Sequence, residues 1–264
     1  MPAADLRTVD RALTVLDLIA SAEEADWGLT ELGKRSGLSK ATTLRMLGTL
    51  QKHGLVSRDG PDGRYRLGPR VLTLAGALRP RLRAIAHPFL HRLVEVTDET
   101  ALLYLLDGTE RVCADHAHPH QTIRVNYELG SRAPLHAGAS GKVLLAFMSP
   151  QECRRLLSSL RLEAYTSTTI TSEVDLEREL AEIREQGYAL SMGEHDSGVY
   201  GVSAPVFSGE GRLEAVATVA GPVARWRPER QQFFVDAVVK AARDMSYALG
   251  YVERSRVPAM AGGE

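Results

Sequence analysis

Cysteine is nearly absent. The 264 residues hold two, Cys113 and Cys153, far apart and without a C-x-x-C spacing, which excludes a disulfide framework and a zinc knuckle and fits a reducing compartment. Long apolar runs are also missing: none approaches the ~18 residues of a membrane span. The first twenty residues break their apolar positions with Asp10, Arg11 and Asp17, unlike a signal peptide. A cytoplasmic protein without membrane contact is expected. Excess charge is lacking too, with 32 basic residues against 33 acidic.

Dividing that charge along the chain changes its meaning. Residues 28–81 carry eleven basic and three acidic side chains, a net of +8, and the remaining 21 basic and 30 acidic give −9. A basic segment attached to an acidic body suits a nucleic-acid-binding domain joined to a domain of another kind. With 44% hydrophobic and 25% charged residues the chain reads as globular, and its length favours two domains.

Val9, Ala12, Leu13, Leu16, Ile19 and Ala20 lie at helical spacing, predicting a first helix over 8–21. Thr30 is the expected cap of a short helix closed by Gly37, and Ser39 that of a third helix running to about His53. Two short helices across a glycine turn form a helix-turn-helix pattern. Strand-like runs at 55–58 and 65–67 around "DGPDG" predict a hairpin carrying Arg58, Arg64 and Arg66. Three helices and a basic hairpin make a winged helix, whose third helix enters the major groove of double-stranded DNA while the wing follows the backbone.

Residues 69–97 read as mainly helical, with breaks or restarts at Pro80 and Pro88. Strands are expected at "TALLYLLDG", "ERVCADHA" and "TIRVNYELG", then helices at 139–148, 150–160 and 173–186. Further strands follow at "YALSMGE", "GVYGVSAPVF" and "RLEAVATVAG", with a last helix over 228–250. Strands at both ends with helices between them predict an α+β domain with a mostly antiparallel sheet. The expected boundaries are 1–68 for the winged helix, 69–87 for a helical connector, 88–252 for the second domain and 253–264 for a disordered tail.

"VDRALTVLDLIA", "LTELGKRSGLSKATTLRMLGTLQKHGLV" and "GRYRLGPRVLTLA" resemble the N-terminal domain of IclR-type (isocitrate lyase regulator) bacterial transcription factors. "RAPLHAGASGKVLLAFM", "ELAEIREQGYAL", "GVYGVSAPVF" and "VATVAGP" are similar to that family's GAF-like effector-binding domain. The resemblance spans about 8–250. It implies a homodimer or homotetramer, more often a repressor, that binds operator DNA under control of a small organic effector, without a cofactor and without enzymatic activity.

In the third helix Thr43, Met46, Leu47 and Leu50 recur on one side. Lys40, Thr42, Leu44 and Arg45 lie elsewhere, either as solvated surface or as a reading face with Thr30 and Ser39. On the second reading Ser39 caps the first turn while its amides face a phosphate, Lys40 supplies a point charge, and the Arg45 fork suits guanine O6 and N7. Leu44 departs from the polar or aromatic residue frequent in the family; it offers apolar contact to a thymine methyl.

"HAGASGKVLLAFM" is neither a P-loop, lacking the loop length and the Ser/Thr after Lys142, nor a nucleophile elbow, being one residue short of G-x-S-x-G. Its small residues either admit a ligand close to free helix-start amides or form a tight packing turn. The resemblance implies an effector pocket of Ala139, Ser140, Ser191, Val199, Gly201, Thr218 and Ala220. The family often has an acid at the position of Ser191, a cysteine at that of Gly201 and a serine at that of Ala220. The expectation is therefore a roomier, less polar pocket for a carboxylate bulkier than pyruvate or glyoxylate, held by amides near Ser140 with Thr218 as hydroxyl partner.

Asp115, His116, His118 and His120 have strand spacing that could serve a metal, and a metal-dependent hydrolase is the competing class, but Pro119 and the loop position favour a solvated tract. His136 and His195 read as hydrogen-bonded residues or pocket lining, with no Ser/His/Asp or Cys/His arrangement around them. A constitutive dimeric DNA-binding protein without an effector is a third reading.

Overall fold

The computed structural model describes residues 6–21, 27–58, 63–77 and 80–252. The expected disordered tail and most of the "DGPDG" turn lie outside the described residues. The chain divides into two compact units, Met1–Pro80 and Arg81–Glu264.

In the first unit, α1 (Arg7–Ala20) carries two apolar sets. Ala12, Val15, Leu16 and Ile19 follow i, i+3, i+4, i+7 spacing, with Val15 and Ile19 buried in the core and Leu16 packed on it. Val9 and Leu13, expected on that side, are each 53% exposed; they belong to the other set. Helix α2 (Leu29–Ser36) starts two residues earlier than the sequence suggested. Gly28, not Thr30, is its N-cap, accepting from the Leu32 amide at 3.0 Å, and Thr30 sits inside the first turn. Gly37 ends the helix at φ +66°, its amide donating to the Gly33 and Lys34 carbonyls, the left-handed cap that glycine adopts without a Cβ penalty.

Ser39 caps α3 (Lys40–Lys52), its hydroxyl accepting from the Thr42 amide at 3.2 Å, a contact that contributes about 1 kcal/mol. Thr43, Met46, Leu47 and Leu50 are buried, as their spacing predicted. Strands β1 (Val56–Arg58) and β2 (Tyr65–Leu67) pair antiparallel with Ser57 opposite Arg66. Trp27 adds a bridge to Tyr65 that the sequence did not reveal, through two backbone hydrogen bonds of 2.7 and 2.8 Å. A short α4 (Arg70–Gly76) follows.

The second unit begins along α5 (Pro80–Thr97), which runs through Pro88 without the expected break. Leu82, Ala86, Leu90 and Leu93 recur on one face and are all buried. Burying each leucine contributes roughly 1.5–3 kcal/mol, enough together to outweigh the ~3 kcal/mol that an interior proline costs.

Six antiparallel strands form the sheet in the order β5-β4-β3-β8-β7-β6: β3 (Thr100–Asp107), β4 (Glu110–Ala117), β5 (Arg132–Pro134), β6 (Ala189–Met192), β7 (Val199–Phe207) and β8 (Leu213–Pro222). The segment at 122–130, expected as a strand, is irregular. Its backbone is engaged by side chains instead, the Thr100 hydroxyl donating to the Val125 carbonyl at 2.7 Å.

Helix α9 (Gln231–Ala248) joins α5 on one face of the sheet, around Leu103, Val202 and Val219. A 3-10 turn, Pro228–Arg230, precedes α9 where the sequence suggested continuous helix. Helices α6 (Ala139–Phe147), α7 (Pro150–Leu157) and α8 (Glu173–Gln186) cover the other face, around Leu102, Tyr104 and Val216. The α+β architecture is the expected one. Among the described residues no helix is long and apolar enough to cross a membrane.

Candidate nucleic-acid interface and ligand cavity

The face of α3 opposite its buried side presents Lys40, Ala41, Leu44, Arg45 and Gly48 to solvent. Leu44 is 47% exposed, a position for a large apolar side chain that the unit's core does not explain. The Thr42 hydroxyl lies 2.9 Å from that of Ser39, so the two form one hydroxyl pair at the helix start. Thr30 is exposed at the first turn of α2. In the wing, Arg58 Nε donates to the Gly63 carbonyl at 2.9 Å and its guanidinium lies over Tyr65, 5.1 Å from the ring centre, bracing the hairpin. Arg64 is half-exposed and stands 4.0 Å from Glu31, an ion pair too loose and wet to hold it.

All seven residues expected around an effector line one cavity in the second unit. Sheet register accounts for part of this convergence. Ser191 lies opposite Gly201, Gly201 opposite Ala220, and Thr218 between Leu102 and Ser203. The Thr218 hydroxyl is 2.9 Å from that of Ser203, so it is already paired across the sheet. Ala139 and Ser140 open α6, after Gly138 at φ +95°. A Cβ on Gly141 would meet the Leu135 carbonyl oxygen at 2.3 Å. This close approach makes glycine obligatory there and seats the start of α6 against the backbone just after β5.

The remaining lining is polar where the expectation was of a less polar pocket. Tyr104, Arg111, Tyr127, His195 and Asp196 line it beside Gly201 and Ala220, and the cavity measures about 40 Å³. At 10–15 Å³ for each water centre this is room for roughly three waters. Tyr127 donates to Asp196 Oδ2 at 2.5 Å, and His195 Nδ1 lies 3.2 Å from the same oxygen. Burial opposes ionisation of Asp196, but these hydrogen bonds and the charges of His195 and Arg111 hold its carboxyl below the usual range. Burial, first, and the neighbouring Asp196 push the Tyr127 phenol upward, so it stays a donor.

Arg111 is the residue the sequence reading missed. Only 4% exposed, it donates from one terminal nitrogen to the Pro134 and Ala137 carbonyls at 2.5 and 2.6 Å. Its guanidinium stands 5.5 Å from the Tyr104 ring centre. Its Nε has no partner, and among the described residues no carboxylate forms an ion pair with it. The Asp196 carboxylate in the same cavity offsets part of this charge, and an anion reaching the free Nε would offset more of it. The available signal was its place on β4, two residues before the buried Cys113 and on the same face.

Lys142 of the "GASGK" motif does not project toward a ligand. It is fully buried between Glu179 and Glu194, with Nζ 2.7 Å from Glu194 Oε1. Glu194 Oε2 also accepts from the Gly138 amide at 3.1 Å. This network ties the turn at the cavity mouth to α8 and to the loop after β6. His136 Nε2 meets the Glu163 carbonyl at 2.9 Å, and His195 lines the cavity.

The histidine tract is not assembled as one ligand set. Asp115 turns to His87 of α5 at 3.1 Å, the His116 and His118 rings rest against each other at 4.3 Å, and His120 lies exposed beyond Pro119. Burial, then His116 and Arg124, lower the His118 pKa. Among the described residues no three His, Cys, Asp or Glu side chains are placed to share a metal ion.

A helix-turn-helix with a basic wing in one unit and a polar cavity at a helix start in the other define a DNA-binding regulator with a ligand-binding domain. The chain belongs to the IclR family of bacterial transcriptional regulators. Residues 8–60 match the IclR helix-turn-helix domain and residues 77–247 the bacterial transcriptional regulator IclR C-terminal domain. It is 37% identical over 246 residues to the HTH-type transcriptional regulator BhcR of Paracoccus denitrificans, covering 92% of this chain and 88% of the relative. It is 32% identical over 249 residues to the transcriptional repressor IclR of Escherichia coli, covering 93% and 90%. The crystal structure of an IclR homologue from Microbacterium hydrocarbonoxydans, complexed with 4-hydroxybenzoate, superposes with a TM-score of 0.80 at 26% identity, covering 92% of this chain and 98% of that one. These relatives are transcriptional regulators, not enzymes.

Proposed function

We propose that the protein is a cytoplasmic repressor that binds operator DNA as a homodimer and changes its grip when a small carboxylate enters the cavity of the second unit. Lys40, Leu44 and Arg45 read bases from α3. Thr30, Ser39, Thr42, Arg58 and Arg64 meet the backbone, where contacts position the protein without reading sequence. A two-fold dimer would place two such helices in successive major grooves of a palindromic site.

The observation that carries the effector class is the buried, unpaired Arg111. Its free Nε and the amides at the start of α6 together offer an anion site of the kind that a carboxylate fills. The solved relative holding 4-hydroxybenzoate, itself a carboxylic acid, supports that class. The test is operator affinity measured with a series of short acids and their uncharged amides. An acid that shifts the affinity while its amide does not is the expected result; operator binding indifferent to every acid would leave the constitutive reading standing.

A further inference from the structure

We infer that His87 and His91 of α5 form a two-histidine chelate for a borderline divalent metal ion, Zn²⁺ or Ni²⁺, on the outer side of the second unit. The two residues are four apart on one helix, the spacing that stacks side chains over successive turns. Their Nε2 atoms lie 3.1 Å apart and the ring centres 4.6 Å apart. Two imidazole nitrogens bound to one tetrahedral Zn²⁺ at 2.0–2.1 Å stand about 3.3 Å from each other, so a small rotation of either ring completes the geometry.

The second observation is the partner behind His87. Asp115 of β4, with a side chain 7% exposed, lies 3.1 Å from His87 Nδ1, and its other oxygen accepts from the His116 amide at 2.9 Å. A carboxylate fixed in this way receives the Nδ1 proton, leaves the Nε2 lone pair facing His91, and orients the ring. This is the outer-shell arrangement that accompanies metal-binding histidines and raises their basicity. The buried negative charge also favours a cation close by.

The His87 side chain is 52% exposed and His91 is exposed, so an ion arrives from solvent. With no third protein ligand in range among the described residues, water or a small anion completes the coordination. Imidazole nitrogen selects Zn²⁺, Ni²⁺ or Cu²⁺ over Mg²⁺ or Ca²⁺. The His116–His118 pair supplies the internal contrast: among the described residues both Nδ1 atoms are buried without a partner, and no carboxylate there hydrogen-bonds either ring.

The experiment is calorimetric titration of Zn²⁺ and Ni²⁺ into the full, tag-free chain after chelator dialysis. One site per chain is expected, with no response to Mg²⁺. His91→Ala, on an exposed face where the fold does not depend on it, weakens binding more than tenfold, as does His87→Ala. Asp115→Asn weakens it about 10- to 100-fold. Replacing His116 and His118 together by alanine leaves it unchanged. Absence of binding in the parent, equal binding in His91→Ala, or loss only in the His116/His118 variant would each overturn the assignment.

Discussion

Replacing Lys142 by methionine tests whether the ion network beneath the cavity mouth is a structural fixture. The ammonium is fully buried and touches two carboxylates, of which Glu194 is 10% exposed and Glu179 28%. Methionine retains most of the volume, so little of the loss comes from packing. What remains is a buried Glu194 with its countercharge gone, and breaking a buried pair from one side costs roughly 3–5 kcal/mol. For a unit of this size each kcal/mol moves the melting temperature by about 2–4 °C, giving a fall of order 6–20 °C in a circular-dichroism melt. Adding Glu194→Gln and Glu179→Gln to Lys142→Met should recover most of that loss, because no unpaired charge is left inside. A single variant melting within a degree of the parent, or a triple variant no better than the single, would refute the reasoning.

Other consequences are equally direct. Arg45→Ala should cost about 1–3 kcal/mol on the operator and relax sequence preference, whereas Arg64→Ala should weaken all DNA alike and flatten the salt dependence; equal losses for Arg45→Ala on operator and random DNA would remove its base-reading role. Asp196, held below its ordinary range, contributes stability that is complete above the unfolded value of about 3.9 and is lost as pH falls through the lower folded value. Urea unfolding should therefore find Asp196→Asn weaker than the parent at neutral pH, the gap closing only in strong acid. Cys113, whose thiol burial and Asp115 push up to about 12, and buried Cys153 should both resist alkylation until urea opens the second unit.

Local chemistry made much of this fold legible. Ser39, Gly37 and the 3.6-residue recurrence of Thr43, Met46, Leu47 and Leu50 are signals carried within a few residues, and the structure has them where the sequence put them. The short apolar runs of β3, β7 and β8, bounded by turn residues, likewise read directly as strand. The failures arise where distant partners decide. Val9 and Leu13 obey helical spacing, yet the core meets α1 along Val15 and Ile19. Residues 122–130 alternate like a strand, but their backbone is engaged by the Thr100 hydroxyl at Val125 and by the Arg225 guanidinium at Ile123 rather than by a ladder. Pro88 would break an isolated helix, but four buried side chains hold α5 against the sheet. In the cavity, the small residues came from family resemblance. Arg111 required knowing that its strand face turns inward, and Lys142 that Glu179 and Glu194, far along the chain, close around it.

The central claim is that a buried, unpaired arginine makes the second unit a carboxylate receptor. Its most direct test is calorimetric binding of the acid that shifts operator affinity, compared between the parent and Arg111→Gln. A charge-assisted contact of about 2–3 kcal/mol predicts affinity lower by roughly 30- to 150-fold in the variant, with the amide of the same acid bound equally poorly by both proteins. Equal affinity of parent and variant for the acid would contradict the account.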